Sequence, residues 1–284
     1  MINDLGLKDA KSVSSPTGEE TGDTEELLEY DKFKKYQSIC ARGNFLAVDR
    51  MDIQFATKEC CRAMSKPTER DWNKLKRLGR YLLGRKRLVY KYKFQEDQGS
   101  FTTYSDANWA SNKTDRKSTS GGTIMHGLHY TKSWSKTQSL VALSSAESEL
   151  YAIVKASSET LGLRTIFGDL NKKFTSTILS DASAALGIIQ RQGLGKLRHI
   201  DCSYLFVQNL NAEKIIKFSK VLGTENPADL CTKGLSEAEI EKYVKMTHSA
   251  FHQGKHGLCP QLNTLTDRLD SRFNESPVSS ITTL

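Results

Sequence analysis

Four acidic side chains, far apart along the chain, fall where an element begins or ends, so that each carboxylate faces neither bulk water nor a sealed core. Asp106 closes the run FTTYSDANWA at the point where apolar and polar positions stop alternating, and Asp181 does the same for STILSD. Strands that end this way carry their last side chains to a sheet edge, and if the two strands are neighbours their carboxylates reach one cation. A third acid belongs to a helix starting near Ser144, where Glu147 and Glu149 compete. Ser144 followed by Glu147 reads as a capping box, in which the glutamate returns a hydrogen bond to the helix's first N–H, so Glu147 already has a structural task. Glu149 has none, and it lies beside Leu150 and one turn before Ile153, at the face turned toward the sheet. Asp229 follows Asn226, an N-cap, and Pro227, a first-position proline. An acid in a first turn also serves the helix dipole, worth about 0.3–1 kcal/mol.

Singly, each of these acids is more often structural than catalytic. Gathered together, Asp106, Glu149, Asp181 and Asp229 repel one another unless divalent metal offsets the charge. Oxygen-only ligands favour Mg²⁺, with Mn²⁺ as a substitute, over zinc. Two such ions about 4 Å apart can activate water and steady a leaving oxygen during in-line attack on a phosphodiester. No Ser-His-Asp pattern competes, and Gly121-Gly122 lacks the Gly-Lys-Ser/Thr continuation of a phosphate loop, so it reads as a hairpin turn.

The elements that must position these residues follow from periodicity. Residues 1–28, acidic and poor in apolar anchors, read as a flexible lead-in. Apolar residues at three- and four-residue steps predict helices near 29–41, 50–65 and 69–84, the last with Trp72, Leu75, Leu78 and Leu82 inward and Thr68 as N-cap. This makes a small helical unit over 29–86. From residue 87 the period changes to two: RLVYKYKF, FTTYSD, TSGGTIMH and HYTKSWSK predict an antiparallel meander, with Gly99, Gly121, Gly122 and Gly127 supplying turns. A long helix from Ser144, a strand STILSD, helices near 182–191 and 200–212, a strand KIIKFSKVL and a final pair of helices from Pro227 complete a domain over 87–247. That order predicts an α/β mixed five-stranded sheet flanked by helices. Residues 248–284 read as a flexible tail.

Bulk properties narrow the partners. With 38% hydrophobic and 26% charged residues, the 284-residue chain suits a globular protein of two modest units rather than a disordered one. No apolar run reaches membrane length and the first residues lack a secretory signal pattern, so no membrane and an intracellular, unsecreted home in cytoplasm or nucleus are expected. Six scattered cysteines without CxxC spacing read as reduced thiols. His248, His252 and His256 at steps of four, with Cys259 three beyond, would line one face of a helix as a zinc set, but the turn-rich GKHGLCPQLN fits a surface tail equally well. A net charge of +8 points to a polyanion, and the excess of Lys and Arg between Lys32 and Lys93 is as compatible with a solvated helix face as with phosphate contact.

Several runs resemble the ribonuclease H domain of copia-type retrotransposons: YSDANWASNKTDRKSTSGGTIMHG, SWSKTQSLVALSSAESELYAI, LSDASAALGI, RHIDCSYLFVQ and NPADLCTKGL, in the family's order over about residues 100–235. The stretch YQSICARGNFLAVDRMDIQFATKECCRAMSKPTERDWNKLKRLGRYLLG is similar to the thumb or connection segment that joins such elements' reverse transcriptase to the ribonuclease H. The resemblance implies a ribonuclease H-like fold and a catalytic and metal-binding set of Asp106, Glu149, Asp181 and Asp229. Glu149 fits the family's glutamate because Leu150, Tyr151 and Ala152 follow it. It also implies cleavage of the RNA strand of an RNA-DNA hybrid, leaving a 3′-hydroxyl and a 5′-phosphate, with the rest of the Pol polyprotein as partner in an intact element. Arg116, Lys117, Lys132, Trp134 and Lys136 are then candidates to grip the hybrid. The polymerase aspartates of the family would precede Met1, so no DNA synthesis is expected. A mobile histidine that many cellular relatives carry before the last aspartate has no counterpart in KVLGTENPAD, and His199 lies early for that role. The rival readings are a catalytically idle nucleic-acid-binding fragment and an integrase. The glutamate helix between the first two strand aspartates speaks against the integrase.

Overall fold

A computed structural model of the chain describes residues 1–18, 26–96, 98–193, 195 and 199–254. Helices α1 (Tyr30–Ala47), α2 (Gln54–Arg62) and α3 (Glu69–Gly84) form the helical unit. On α3 the expected stripe of Trp72, Leu75, Leu78 and Leu82 is buried, and Thr68 and Asp71 exchange the two hydrogen bonds of a capping box. The start of the chain packs against this unit instead of forming a free lead-in. Leu5, Leu7 and Leu28 are buried in the helical core, and the bare surface of Gly79 makes room, since a Cβ there would lie 2.6 Å from Leu7 Cδ1.

The next strand, β1 (Arg87–Tyr90), does not join the meander that its alternation suggests. It pairs antiparallel with β7 (Ser249–His252), near the end of the described chain. The meander itself is β2 (Ser100–Asn108), β3 (Thr119–His126) and β4 (His129–Thr137), followed by α4 (Ser145–Asp169), β5 (Thr175–Ser180), α5 (Ser183–Gln190), α6 (Phe206–Ala212), β6 (Lys217–Lys220) and α7 (Glu237–Met246). Gly121 and Gly122 lie within β3, opposite Asp106 and Ser105, whereas the hairpin turn falls at Gly127 with a positive φ of 56°. Where a helix was expected from Pro227, the chain makes a short 3₁₀ turn, Pro227–Cys231, with Asn226 capping it through Ala228 N–H.

The sheet order β4-β3-β2-β5-β6, antiparallel across β4, β3 and β2 and parallel from β2 through β5 to β6, is the ribonuclease H-like mixed five-stranded sheet. Helix α4 covers one face: Leu150, Ile153 and Ala156 share a core with Phe101, Ile124 and Ile178, and Thr160 meets Thr103 at 2.7 Å between hydroxyl oxygens. On another side, Met51 and Leu88 share a cluster with Met125, Tyr130, Leu230, Cys231 and Tyr243. Residues Met1–His252 therefore form one compact unit, and the boundary expected at 86–87 is crossed by a common core. The boundary expected at 247–248 falls inside the packed chain for the same kind of reason, because β7 is held by β1. Among the described residues no helix is long and apolar enough to cross a membrane, and Cys40, Cys60, Cys61, Cys202 and Cys231 are free thiols.

Candidate metal centre

Parallel pairing of β2 with β5 does the first part of the assembly. Its register sets Tyr104 opposite Leu179, so two residues further on Asp106, still paired with β3 and two residues short of the end of β2 where the sequence suggested a strand end, comes beside Asp181, the first residue past β5. Helix α4 begins at Ser145 and carries Glu149 on its first turns to the same place. One oxygen from each of Asp106, Glu149 and Asp181 lies within 4.8 Å of the others. Gly223 stands against this group, since a Cβ there would meet Asp181 Oδ2 at 2.9 Å.

The fourth acid arrives on the Pro227–Cys231 turn, which packs on β3. Gly121 permits that approach, because a Cβ there would fall 2.6 Å from Thr232 Cγ2 and 2.7 Å from Cys231 Cβ. Asn226 pins the turn by donating to Ser105 C=O at 2.9 Å. Asp229 thereby reaches Asp106, and Lys233 Nζ sits 3.0 Å from Asp229 Oδ1 and 3.9 Å from Asp106 Oδ2. Thr232 Oγ1 donates to Asp106 Oδ2, and the Tyr243 hydroxyl donates to Asp229 Oδ2 at 3.1 Å.

Electrostatics make this cluster costly as it stands. Burial raises the Asp106 carboxyl above the usual range, with Lys233 opposing and Asp229 adding to the shift. Burial, then Asp106 and Asp181, push Glu149 up to about 9. Asp181 and Asp229 are also raised, in both cases first by burial. Glu149 Oε1 accepts from Ala107 N–H at 3.2 Å, but its Oε2 is buried with no hydrogen-bond partner. An orphaned carboxylate oxygen inside a converging acid group is what a hard divalent cation would satisfy, so the donor set fits such an ion.

Lys233, Thr232 and Tyr243 escaped the sequence reading. Lys233 carried a usable signal, since it stands four residues after Asp229, at ion-pairing distance on a helical turn. Glu147 occupies a separate site, as its capping position suggests. Its N–H donates to Ser144 Oγ at 3.2 Å, but its own Oε2 accepts from Leu143 N–H rather than from Ser144. Burial opposes its ionisation, while Tyr151, His199 and the Leu143 N–H hold its carboxyl below the ordinary range. His199 Nε2 lies 3.0 Å from Glu147 Oε2 and is thereby committed to Glu147.

The residues expected to grip a hybrid divide. Arg116 and Lys136 are exposed and Lys117 is half-buried. Lys132 is exposed and forms a 2.5 Å ion pair with Glu159, of a kind worth about 0–1 kcal/mol. Trp134, expected at the hybrid surface, is instead 8% exposed, buried in the core opposite Gly122, where a Cβ would lie 2.1 Å from its ring. The exposed indole belongs to Trp109, just past Asp106, with its Nε1 donating to Ala142 C=O at 2.9 Å. Of the supposed zinc face, the two described members do not lie on a helix. His248 follows the end of α7 with a positive φ of 53°, His252 is the last residue of β7, and His256 and Cys259 lie outside the described residues.

No family model matches the chain. Among curated proteins it is 30% identical over 214 residues to the retrovirus-related Pol polyprotein from transposon RE1 of Arabidopsis thaliana, covering 74% of this chain and 14% of that one. It is 24% identical over 253 residues to the retrovirus-related Pol polyprotein from transposon TNT 1-94 of Nicotiana tabacum, covering 85% of this chain and 19% of that one. The chain thus spans less than a fifth of these polyproteins. A shorter relative, secreted RxLR effector protein 161 of Plasmopara viticola, is 34% identical over 119 residues, covering 42% of this chain and 82% of that protein. Among solved structures, LC11-RNase H1 in complex with an RNA/DNA hybrid aligns with a TM-score of 0.35 and 16% identity, covering 47% of this chain and 94% of that one.

Proposed function

Because the chain belongs to the retrotransposon Pol polyprotein family, we propose that its ribonuclease H-like domain is a metal-dependent endonuclease of the copia type, cutting the RNA strand of RNA-DNA hybrids. The observation that carries this reading is the convergence of Asp106, Glu149 and Asp181 within 4.8 Å around a Glu149 oxygen that has no partner. Asp229, on the Pro227–Cys231 turn, stands beside Asp106 and outside that group of three.

The four carboxylates would hold two Mg²⁺ ions, with Mn²⁺ able to substitute. Bound there, the ions supply water activation and stabilise the leaving oxygen of the phosphodiester. The chain's own residues do the rest. Ala107 N–H fixes one oxygen of Glu149, Thr232 fixes Asp106, and Asn226 keeps the turn bearing Asp229 against β2. Arg116, Lys117, Lys132 and Lys136 are the proposed phosphate contacts, and the exposed Trp109 replaces Trp134 as the aromatic at the hybrid surface. The rest of a Pol polyprotein is the expected partner in an intact element. The location that suits this activity is intracellular, in cytoplasm or nucleus. Residues 29–86 are proposed as the reverse transcriptase thumb or connection remnant, fused to 87–247 through their shared core.

The test is cleavage of an end-labelled RNA-DNA hybrid with Mg²⁺, run beside Asp181→Asn and beside single-stranded RNA. Metal-dependent cutting of the hybrid alone, lost in the variant and leaving 3′-hydroxyl ends, is expected. No cutting by the unaltered protein would turn the reading to an idle nucleic-acid-binding fragment.

A further inference from the structure

Asp229 carries a counter-charge from the protein itself, an ion pair with Lys233, beside a hydrogen bond from Tyr243, although its Oδ1, like Glu149 Oε2, is buried with no hydrogen bond of its own. Oδ1 faces Lys233 Nζ at 3.0 Å and Oδ2 accepts from Tyr243 at 3.1 Å. The same ammonium lies 3.9 Å from Asp106 Oδ2, so it bridges these two acids. The group formed by Asp106, Glu149 and Asp181 has no such internal cation within hydrogen-bonding reach of Glu149, whose Oε2 stays unpartnered. The centre therefore has two unlike halves that share Asp106, one with no ammonium in contact with Glu149 and one in which a single ammonium offsets part of the charge of two acids.

We infer that Lys233 is a tethered cation holding the Asp106–Asp229 half of the centre in the metal-free protein, so that one divalent ion enters the Asp106–Glu149–Asp181 half first, without displacing the ammonium, and a second binds only by displacing it. The inference rests on the metal-dependent reading above. A lysine suits the task because its charge is compact and rides on a flexible stem. The Lys233 side chain is 40% exposed, which leaves it a path outward. Being covalently attached, it competes at a high effective concentration that free ions must overcome. Loading is then ordered, and the second half stays closed while metal is scarce.

Calorimetric titration of the whole chain with Mg²⁺, without substrate, tests this. The wild type should bind one ion tightly and a second weakly. Lys233→Met should tighten the second event by about tenfold, within the range for side chains in direct contact, while Lys233→Arg keeps the wild-type pattern. In EDTA, Lys233→Met should melt below the wild type, with the gap closing as Mg²⁺ is added. Should Lys233→Met fail to fold, the Lys233 side-chain ammonium NMR signal of the wild type must move at the second equivalent of Mg²⁺ and not at the first. A second event that is unchanged or weaker in Lys233→Met, or an ammonium signal that moves with the first ion, overturns the inference alone. Absence of any divalent binding in the wild type sinks the metal-dependent reading as well.

Discussion

Glu149 joins two properties that a folded protein seldom tolerates together: near-complete burial and a carboxylate oxygen without a partner. Its carboxyl is pushed up to about 9 from an ordinary 4.5. A value higher in the folded than in the unfolded chain means that the fold favours the protonated form. Metal-free stability from this group is therefore fully present below about pH 4.5 and is lost as pH rises toward 9. Melting temperatures in EDTA should fall between pH 5 and 9. Glu149→Gln should flatten that fall, and Mg²⁺ should reverse it by rewarding the ionised form; a wild-type profile that rises over this window would contradict the assignment. The convergence of Asp106, Asp181 and Glu149 was legible in the sequence because the two aspartates fall where strand alternation stops, and Glu149 is the early acid of α4 that capping leaves free, on the side turned toward the sheet. Trp134 was not, because its burial depends on Gly122 across the strand pair, and alternation along β4 does not reveal the partner strand's residue.

At the scale of elements, the centre depends on how closely β3 admits the Pro227–Cys231 turn. The two glycines of β3 looked like a turn because paired glycines usually serve that purpose, yet here they clear space on the sheet. Gly121→Ala should press on Thr232 and Cys231, lowering stability by about 1–3 kcal/mol and weakening divalent binding as Asp229 shifts. Gly122→Ala meets the Trp134 ring instead, and should cost a similar amount of about 1–3 kcal/mol while leaving the acids in place. Urea denaturation with parallel calorimetry separates the two variants, and equal loss of metal affinity in both would argue against the special role of Gly121. The order of strands and helices was readable from the change of period near residue 87. The partnership of β1 with β7 was not, since pairing across more than 150 residues leaves no local mark in either segment.

Over the whole molecule, the helical segment and the sheet domain behave as one body because Met51 and Leu88 are buried with Met125, Tyr130, Leu230 and Tyr243. Sequence composition favours a boundary at the point where helices give way to strands, but composition is blind to a core shared across it. Met51 is fully buried, so Met51→Ala should lower the stability of the entire unit by about 2–5 kcal/mol. Helix and near-ultraviolet aromatic signals should lose structure together in urea, as expected for one cooperative unit. Two separated transitions would restore the boundary at 86–87. The integrity of this body keeps β2, β5, α4 and the Pro227–Cys231 turn in register, and the acid centre depends on all four. Crystals soaked in Mn²⁺ and measured at the manganese absorption edge test that centre most directly. The predicted result is an anomalous peak bounded by Asp106, Glu149 and Asp181; manganese bound elsewhere, with those three carboxylates bare, would contradict it.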